Sequence, residues 1–313
     1  MSKELRIIFL GTPDFAAESL RRLVESGVCI VAVVTAPDKP QGRGKKLGSS
    51  AVKQYAQEAK LPLLQPPNLK SQDFLDELAS YQADLQIVVA FRMLPEVVWS
   101  MPRLGTFNLH ASLLPQYRGA APINWAIING ERETGVTTFF LKHEIDTGEI
   151  IFQEKEPIKD NDTVGTLYER LMKRGADLVV KTVKAIEGGD YPQIPQVSIV
   201  NGQLRSAPKI FKEDCRIDWD QSGKNISNFI RGLSPYPAAW TMLHGKVLKI
   251  FVVVDSLEDI SKSVGEFESD DKTYLRIKAR DKSLDIIELQ LEGKKKMNVE
   301  EFLRGYQFNK QLG

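Results

Sequence analysis

Three polar residues in two short segments have the types and the spacing that acyl transfer requires. The first segment, residues 106–110, reads Thr-Phe-Asn-Leu-His. This run predicts a β-strand, and because side chains alternate along a strand, Asn108 and His110 point to the same face. Two hydrogen-bond donors can then meet at one carbonyl oxygen, where they would stabilise the negative charge that develops during nucleophilic attack.

The third residue, Asp146, follows a β-rich run at 137–142 and lies in a turn closed by Gly148. From such a turn, a carboxylate could reach the imidazole of His110 and fix its tautomer. Together the three residues would suit acyl transfer without a covalent intermediate. An Asn-x-His pair on a strand is more often structural than catalytic, however, and Asp-Thr-Gly is also an ordinary turn, so spacing alone leaves both interpretations open.

Longer segments around these residues resemble the formyltetrahydrofolate-dependent formyltransferases. The likeness covers most of the chain. Its strongest part is Asn-Leu-His-Ala-Ser-Leu-Leu-Pro at 108–115, continued to residue 123 and joined by 146–148. Three further segments carry it, at 11–15, 39–47 and 231–240. The resemblance implies that Asn108, His110 and Asp146 are catalytic and that the formyl donor is 10-formyltetrahydrofolate.

The resemblance also implies a folate pocket beside the three catalytic candidates. The residues implied for it are Arg92, Met93, Leu94, Ser112, Leu113, Leu114, Pro115, Glu144 and Ile145. Judged without the resemblance, Leu113 and Leu114 are better explained as core residues. Arg118 is equally consistent with a loop salt bridge and with a substrate contact. The chain has three histidines and no cluster with metal-ligand spacing, so we predict no metal.

The elements that must position these residues alternate between strand and helix patterns. Strands are predicted at 5–10, 28–35, 63–64 and 85–90, and helices at 14–25, 50–60 and 71–80. This alternation predicts an α/β fold with a doubly wound, mostly parallel, Rossmann-like sheet, in which ligands bind beyond the carboxyl ends of the strands. A dinucleotide enzyme is disfavoured because residues 11–15 lack the Gly-x-Gly-x-x-Gly pattern.

The pattern of residue types changes after a long amphipathic helix predicted at 162–187. The stretch 190–208 holds three prolines and predicts an extended linker. Beyond it, β runs at 247–254, 274–279 and 283–291 predict a small, largely antiparallel, OB-like β-barrel with one helix at 222–231. We therefore predict a catalytic domain at 1–189, a linker at 190–208 and a C-terminal β-barrel domain at 209–313.

Basic side chains are concentrated locally on a chain whose net charge is only +1. They occur in the loop 38–48, at Lys209 and Lys212, and at 294–296. A charge run is usually no more than a solvated surface. A formyltransferase that acts on a small molecule needs neither the basic loop nor a second domain, whereas an RNA acceptor would use both, since phosphate contacts position such a substrate.

Within the resembling family, this combination implies methionyl initiator tRNA as the acceptor. Relatives that formylate a ribonucleotide or a sugar nucleotide, or that hydrolyse the formyl group, would share the same Asn, His and Asp. The residues predicted to contact tRNA are Arg43, Lys45, Lys46, Lys209 and Lys212. A catalytically silent RNA-binding protein or a folate sensor remains the alternative, because fold does not determine function.

Composition is ordinary for a globular protein, with 42% hydrophobic and 27% charged residues. Cys29 and Cys215 are far apart in sequence and offer no disulfide framework. The N-terminal segment has no apolar stretch of the length of a signal peptide or a membrane span. We therefore expect a cytoplasmic protein that has no membrane contact and needs no protein partner.

Overall fold

The computed structural model describes residues 4–41, 46–200 and 202–308. Its strands, numbered along the chain, are β1 (Ile7–Gly11), β2 (Ile30–Val34), β3 (Lys39–Gln41), β4 (Lys46–Gly48), β5 (Leu63–Leu64), β6 (Leu85–Val89), β7 (Thr106–His110), β8 (Arg118–Gly119), β9 (Glu133–Phe140), β10 (Ile150–Pro157), β11 (Ser206–Ala207), β12 (Ala239–Leu243), β13 (Lys246–Asp255), β14 (Phe267–Ser269), β15 (Leu275–Lys278), β16 (Ser283–Leu291) and β17 (Met297–Asn298). Its α-helices are α1 (Asp14–Glu25), α2 (Ala51–Glu58), α3 (Gln72–Ser80), α4 (Glu96–Trp99), α5 (Pro122–Ile128), α6 (Val164–Gly188), α7 (Gly223–Leu233) and α8 (Val299–Gly305).

The described chain forms two compact units, and neither is continuous in sequence. The first comprises Met1–Gly119, Gly135–Glu156 and Glu169–Ser206, and the second comprises Ala120–Thr134, Pro157–Tyr168 and Ala207–Gly313. Two segments before residue 169 thus belong with the C-terminal part of the chain. Composition carries no signal for this grouping, because it is decided by tertiary contacts.

A seven-stranded sheet, in the order β10-β9-β7-β6-β1-β2-β5, forms the framework of the first unit. The pairs from β7 through β6, β1 and β2 to β5 are parallel, and β9 runs antiparallel to β7. All five residues of β1 and of β6 are buried, as expected for parallel strands covered on both faces. The predicted mostly parallel, doubly wound sheet is confirmed.

The two faces of β7 have different surroundings: α6 covers one face, and the candidate site residues lie on the other. Leu109 points to one face, where α6 approaches so closely that a Cβ added at Gly175 would lie 2.8 Å from Leu109 Cδ2. A glycine at this point of α6 therefore permits the close packing of helix on sheet. Asn108 and His110 point to the opposite face, as their alternation with Leu109 requires.

The second unit is built on the sheet β12-β13-β16-β15-β14, with β17 paired to β16. Its strand pairs are antiparallel, which confirms the predicted antiparallel C-terminal fold. The helix predicted at 222–231 is α7, whose first turn is capped by the Ser222 side chain accepting from the Asn225 N–H at 3.2 Å. Helix α7 packs against α5, and Gly232 lies so near Asn124 O and Ile128 that a Cβ there would clash.

Candidate active site

Strand β7 brings Asn108 and His110 to the carboxyl end of the first sheet, as the sequence predicts. The strand lies between β6 and β9: Asn108 pairs with Val88 on one side and Phe139 on the other, and His110 pairs with Thr137 of β9. His110 is buried, with 7% of its surface exposed, while Asn108 is partly exposed. The two side chains therefore occupy adjacent positions along one face of a rigid strand.

The imidazole of His110 is held by a backbone carbonyl. Its Nε2 lies 2.9 Å from the carbonyl oxygen of Tyr117. Because a carbonyl oxygen only accepts hydrogen bonds, Nε2 carries a proton in this arrangement. Nδ1 faces the Asp146 carboxylate, but the distance to Oδ2 is 4.0 Å, which is too long for a hydrogen bond. The expectation that Asp146 fixes the tautomer is therefore wrong: the Tyr117 carbonyl does so.

Asp146 reaches this position from an unusual backbone conformation. Its φ of 55° lies in the left-handed region, which non-glycine residues seldom adopt. The carboxylate accepts a hydrogen bond at Oδ2 from the Gly119 N–H at 3.1 Å. Two residues later, a Cβ added at Gly148 would lie 1.5 Å from the carbonyl oxygen of Phe140, so only glycine fits there. The turn is thus shaped by tertiary contacts on both sides of the aspartate.

Asn108 has an unused acceptor. Its Oδ1 is buried, and no hydrogen-bond partner for it occurs in the described part of the chain. Burying an unsatisfied polar atom costs about 1–3 kcal/mol, so such atoms in folded proteins call for an explanation. A hydrogen bond from a bound ligand to Oδ1 would remove this cost.

The backbone that follows His110 is held by hydrogen bonds with two polar side chains. Thr137 Oγ1 donates to Ser112 O at 2.6 Å and accepts from the Leu114 N–H at 3.2 Å. The Gln153 amide donates to Leu114 O at 2.8 Å. Leu114 itself is buried in a small core with Phe139 and Ile150, as its apolar character predicts. Its side chain therefore belongs to the core.

The other residues of the implied folate pocket lie in two places. Arg92 follows β6 and donates from Nη1 to Pro67 O at 2.9 Å and from Nη2 to Pro66 O. Burial lowers the pKa of this guanidinium from its ordinary value. Met93 is 75% exposed, and Leu94 packs at the edge of the core around β1 and β6. Arg92 therefore fixes the local backbone with its side chain.

A cavity of about 610 Å³ opens beside the Asp146 turn. Its lining includes Glu144 and Thr147 of the turn, together with Trp99 and Arg118, but not the three catalytic candidates. Ile145, at the tip of the turn, is 63% exposed. The sequence left Arg118 open between a salt bridge and a substrate contact. In the structure its Nε donates to Gln196 Oε1 at 3.0 Å.

The family follows from the sequence comparisons. A model described as formyl transferase matches residues 5–183, and one described as formyl transferase, C-terminal domain, matches residues 209–307. The chain belongs to the formyl transferase family. A protein of Bacteroides fragilis called methionyl-tRNA formyltransferase is 57% identical to it over 313 residues, covering 98% of this chain and 97% of that protein.

Solved structures show the same fold in more distant proteins. HypX from Aquifex aeolicus in complex with tetrahydrofolic acid has a TM-score of 0.65 at 22% identity, over 96% of this chain and 47% of that one. This chain thus spans about half the length of HypX. The N-formyltransferase from Helicobacter canadensis, in complex with folinic acid and dTDP-3-aminofucose, has a TM-score of 0.65 at 21% identity, over 94% of this chain and 100% of that one.

The residues predicted to contact tRNA fall in different parts of the formyl transferase chain. Arg43 and Lys45 lie outside the described residues, and for Lys46 only the backbone, in β4, is described. Lys209 and Lys212 are exposed and line a second cavity of about 470 Å³, which lies wholly within the second unit. The exposed aromatic rings of Phe211 and Tyr236 line the same cavity.

Several features of the site gave no signal in the sequence. Thr137, Gln153 and Gln196 each contact a segment that is remote along the chain, and nothing in their local sequence distinguishes them from ordinary polar residues. Among residues 4–41, 46–200 and 202–308, no group of three His, Cys, Asp or Glu side chains is placed to hold a metal ion. No helix in these ranges is long and apolar enough to cross a membrane.

Proposed function

We propose that the protein transfers the formyl group of 10-formyltetrahydrofolate to the amino group of methionyl initiator tRNA, giving N-formylmethionyl-tRNA for translation initiation. The observation that carries the proposal is the convergence of Asn108, His110 and Asp146 at the end of one sheet in a formyl transferase chain. The high identity to the Bacteroides fragilis methionyl-tRNA formyltransferase over nearly the whole length of both proteins supports this choice of acceptor.

The reaction forms one C–N bond and breaks another. The neutral amine of the methionyl group attacks the formyl carbon, and the formyl oxygen takes up negative charge. The Asn108 amide and the His110 ring then donate to this oxygen. When the tetrahedral intermediate collapses, the bond from carbon to N10 of the folate breaks, N10 gains a proton and the new amide nitrogen loses one.

The geometry around His110 indicates how its proton is used. Nε2–H is committed to the Tyr117 carbonyl, so only Nδ1 is available to donate to the oxyanion. Donation from Nδ1 requires a ring that is protonated on both nitrogens and therefore positive. Asp146 Oδ2, 4.0 Å away, attracts such a ring without a direct hydrogen bond.

For the donor, we propose that the pterin binds against the backbone of 112–115 and the turn at Glu144 and Ile145. Hydrogen bonds with Thr137 and Gln153 hold the backbone of 112–115, and Arg92 holds the backbone that continues into Met93 and Leu94. The proposal places the reaction in the cytoplasm and calls for no metal and no protein partner.

For the acceptor, the second unit offers a surface that suits RNA. Its cavity combines the two exposed aromatic rings with Lys209, Lys212 and Lys249. Unpaired bases stack on aromatic rings, and lysines contact phosphates. A sugar-nucleotide acceptor, such as the one in the Helicobacter canadensis complex, would leave this surface without a role.

The decisive experiment combines the protein with 10-formyltetrahydrofolate and either methionyl initiator tRNA, methionyl elongator tRNA or free methionine. We expect N-formylmethionine on the initiator tRNA alone at substantial rate, and a large loss of rate with Asn108→Ala. Binding of tRNA without any transfer would support a silent RNA-binding protein. Formylation of a nucleotide-linked amino sugar in preference to tRNA would support the small-molecule alternative.

A further inference from the structure

Gln196 lies in the proline-bearing stretch that the sequence suggests is only a linker, yet its side chain is 2% exposed. Two residues earlier, Ile194 exchanges a pair of 2.9 Å backbone hydrogen bonds with Ile150, at the start of β10. A short 3-10 helix, Gln196–Ile199, then begins with Gln196 directed into the protein. The backbone thus delivers this glutamine to a fixed place beside the Asp146 turn.

Every hydrogen-bonding position of the Gln196 side chain is used. Its Nε2 donates to the carbonyl oxygens of Asp146 and Gly148, both at 2.8 Å. Its Oε1 accepts from Nε and Nη2 of Arg118. A neutral amide has two donor positions and two acceptor lone pairs, so this side chain is saturated. Such an arrangement fixes both the rotamer and the amide orientation, because a flipped amide would turn its NH2 toward the guanidinium.

The contacts converge on the one residue whose carboxylate faces His110. Gln196 holds the carbonyls of Asp146 and Gly148, while the residue next to Arg118 contributes the N–H that holds Asp146 Oδ2. Asp146 has a φ of 55°, a conformation that costs about 1 kcal/mol or more and persists only where surrounding contacts impose it. Gln196 supplies two of those contacts.

We infer that Gln196 is a positioning residue for catalysis, which holds the Asp146 turn so that the carboxylate stays in place opposite His110 Nδ1. Arg118 supports Gln196, because its hydrogen bonds to Oε1 fix the orientation of the Gln196 amide. Only the expected effect on the reaction rate rests on the proposed function. The hydrogen bonds from Gln196 to the Asp146 turn are a property of the folded chain itself.

The test uses two substitutions in the full chain. Gln196→Met keeps the length of the side chain and removes its hydrogen bonds. Gln196→Glu keeps the shape and the acceptor for Arg118, but it places one carboxylate oxygen against the carbonyl oxygens of Asp146 and Gly148. Ser198→Ala is the matched control, because Ser198 belongs to the same 3-10 helix and its hydroxyl only donates to Pro195 O. If Gln196→Met does not fold, the measurements on Gln196→Glu test the inference.

The first measurement is amide hydrogen exchange at Gly119, whose N–H donates to Asp146 Oδ2, and it requires no activity. We expect exchange at Gly119 to quicken about tenfold or more in both Gln196 variants, because a turn that has lost two hydrogen bonds no longer holds the carboxylate against this N–H, and to stay unchanged in Ser198→Ala. A folded Gln196 variant with wild-type exchange at Gly119 would overturn the inference, whatever reaction the protein catalyses.

The second measurement is kcat for formyl transfer in two backgrounds. We expect Gln196→Met to lower kcat about tenfold or more in the wild-type chain and to have almost no further effect when Asp146→Asn is already present, because Gln196 acts through that carboxylate. Equal losses in both backgrounds would show a general structural role and contradict the inference. A wild-type protein that transfers no formyl group refutes the proposed function instead, and the exchange measurement then decides the inference alone.

Discussion

The hydrogen bond from His110 to the Tyr117 carbonyl determines which ring nitrogen can act on a substrate. Nε2 is committed to the backbone, and Nδ1 is the nitrogen that faces the Asp146 carboxylate. An Asn amide with an unpaired oxygen lies on the same face. At the scale of residues, the backbone therefore fixes the imidazole of His110 through Tyr117 and the carboxylate of Asp146 through Gly119.

We predict that Asn108, His110 and Asp146 act as one unit. Asn108→Ala, His110→Ala and Asp146→Asn should each lower the single-turnover rate of formyl transfer by about 10²-fold or more, since a donor to a developing oxyanion has effects of this size. The losses should not add in double variants. Unfolding midpoints and folate affinity serve as controls. Near-normal turnover in a folded His110→Ala protein would refute the assignment.

The sequence indicates where the candidate catalytic residues lie, but it does not indicate the residues that hold them. Asn108 and His110 share a strand whose alternation is visible in the sequence, and the glycine after Asp146 marks its turn. Gln196 lies 50 positions from Asp146 and Tyr117 lies seven from His110, and each acts through a tertiary hydrogen bond that no local pattern encodes. Local periodicity likewise predicts β1, α7 and the long helix α6, but not which segments join the second unit.

At the scale of elements, the close approach of the Asp146 turn to β9 makes Gly148 irreplaceable. Gly148→Ala places a Cβ 1.5 Å from Phe140 O, so either the turn or the strand must move. We expect a loss of about 3 kcal/mol in the free energy of unfolding, measured with urea, and a loss of transfer activity. Gly188→Ala is the control, because a Cβ there meets nothing within 4 Å. Equal stability of the two variants would contradict this account.

Ion pairs between β10 and α6 make a pH-dependent contribution to the stability of the fold. Glu156 is buried, and burial by itself would raise its pKa, but hydrogen bonds from Arg170 and Arg174 outweigh this effect and lower the pKa. A carboxylate whose pKa is lower in the folded chain stabilises the fold above its unfolded pKa of about 4.3, and this contribution is lost as the pH falls through the folded pKa.

We therefore predict that Glu156→Gln destabilises the protein at pH 7 and makes its free energy of unfolding fall less steeply below about pH 4.3. Urea unfolding at a series of pH values measures both effects. Glu187→Gln is the control, since Glu187 is an exposed residue of α6, the helix that carries Arg170 and Arg174. Parallel pH profiles for Glu156→Gln and the wild type would show that the two arginines do not stabilise the ionised carboxylate.

At the scale of the whole molecule, the two units supply different chemistry. The catalytic candidates and the cavity beside the Asp146 turn belong to the first unit, while the cavity lined by aromatic rings and lysines belongs to the second. Net charge is only +1, so an RNA substrate would be recognised by local groups instead of by the overall field. Stacking and phosphate contacts can be separated experimentally, because only phosphate contacts release counterions.

The last prediction uses this difference. Tyr236→Ala should weaken binding of initiator tRNA by about 5-fold to 160-fold at every salt concentration, because a stacked base contributes about 1–3 kcal/mol, and it should leave the salt dependence unchanged. Lys209→Ala with Lys212→Ala should instead reduce the slope of log affinity against log salt by about 2. Lys262→Ala, an exposed lysine of the same unit outside the cavity, is the control. If Tyr236→Ala alters only the slope, or the double lysine variant alters neither affinity nor slope, the cavity does not bind RNA in this way. The acceptor would then be held by other residues of the chain.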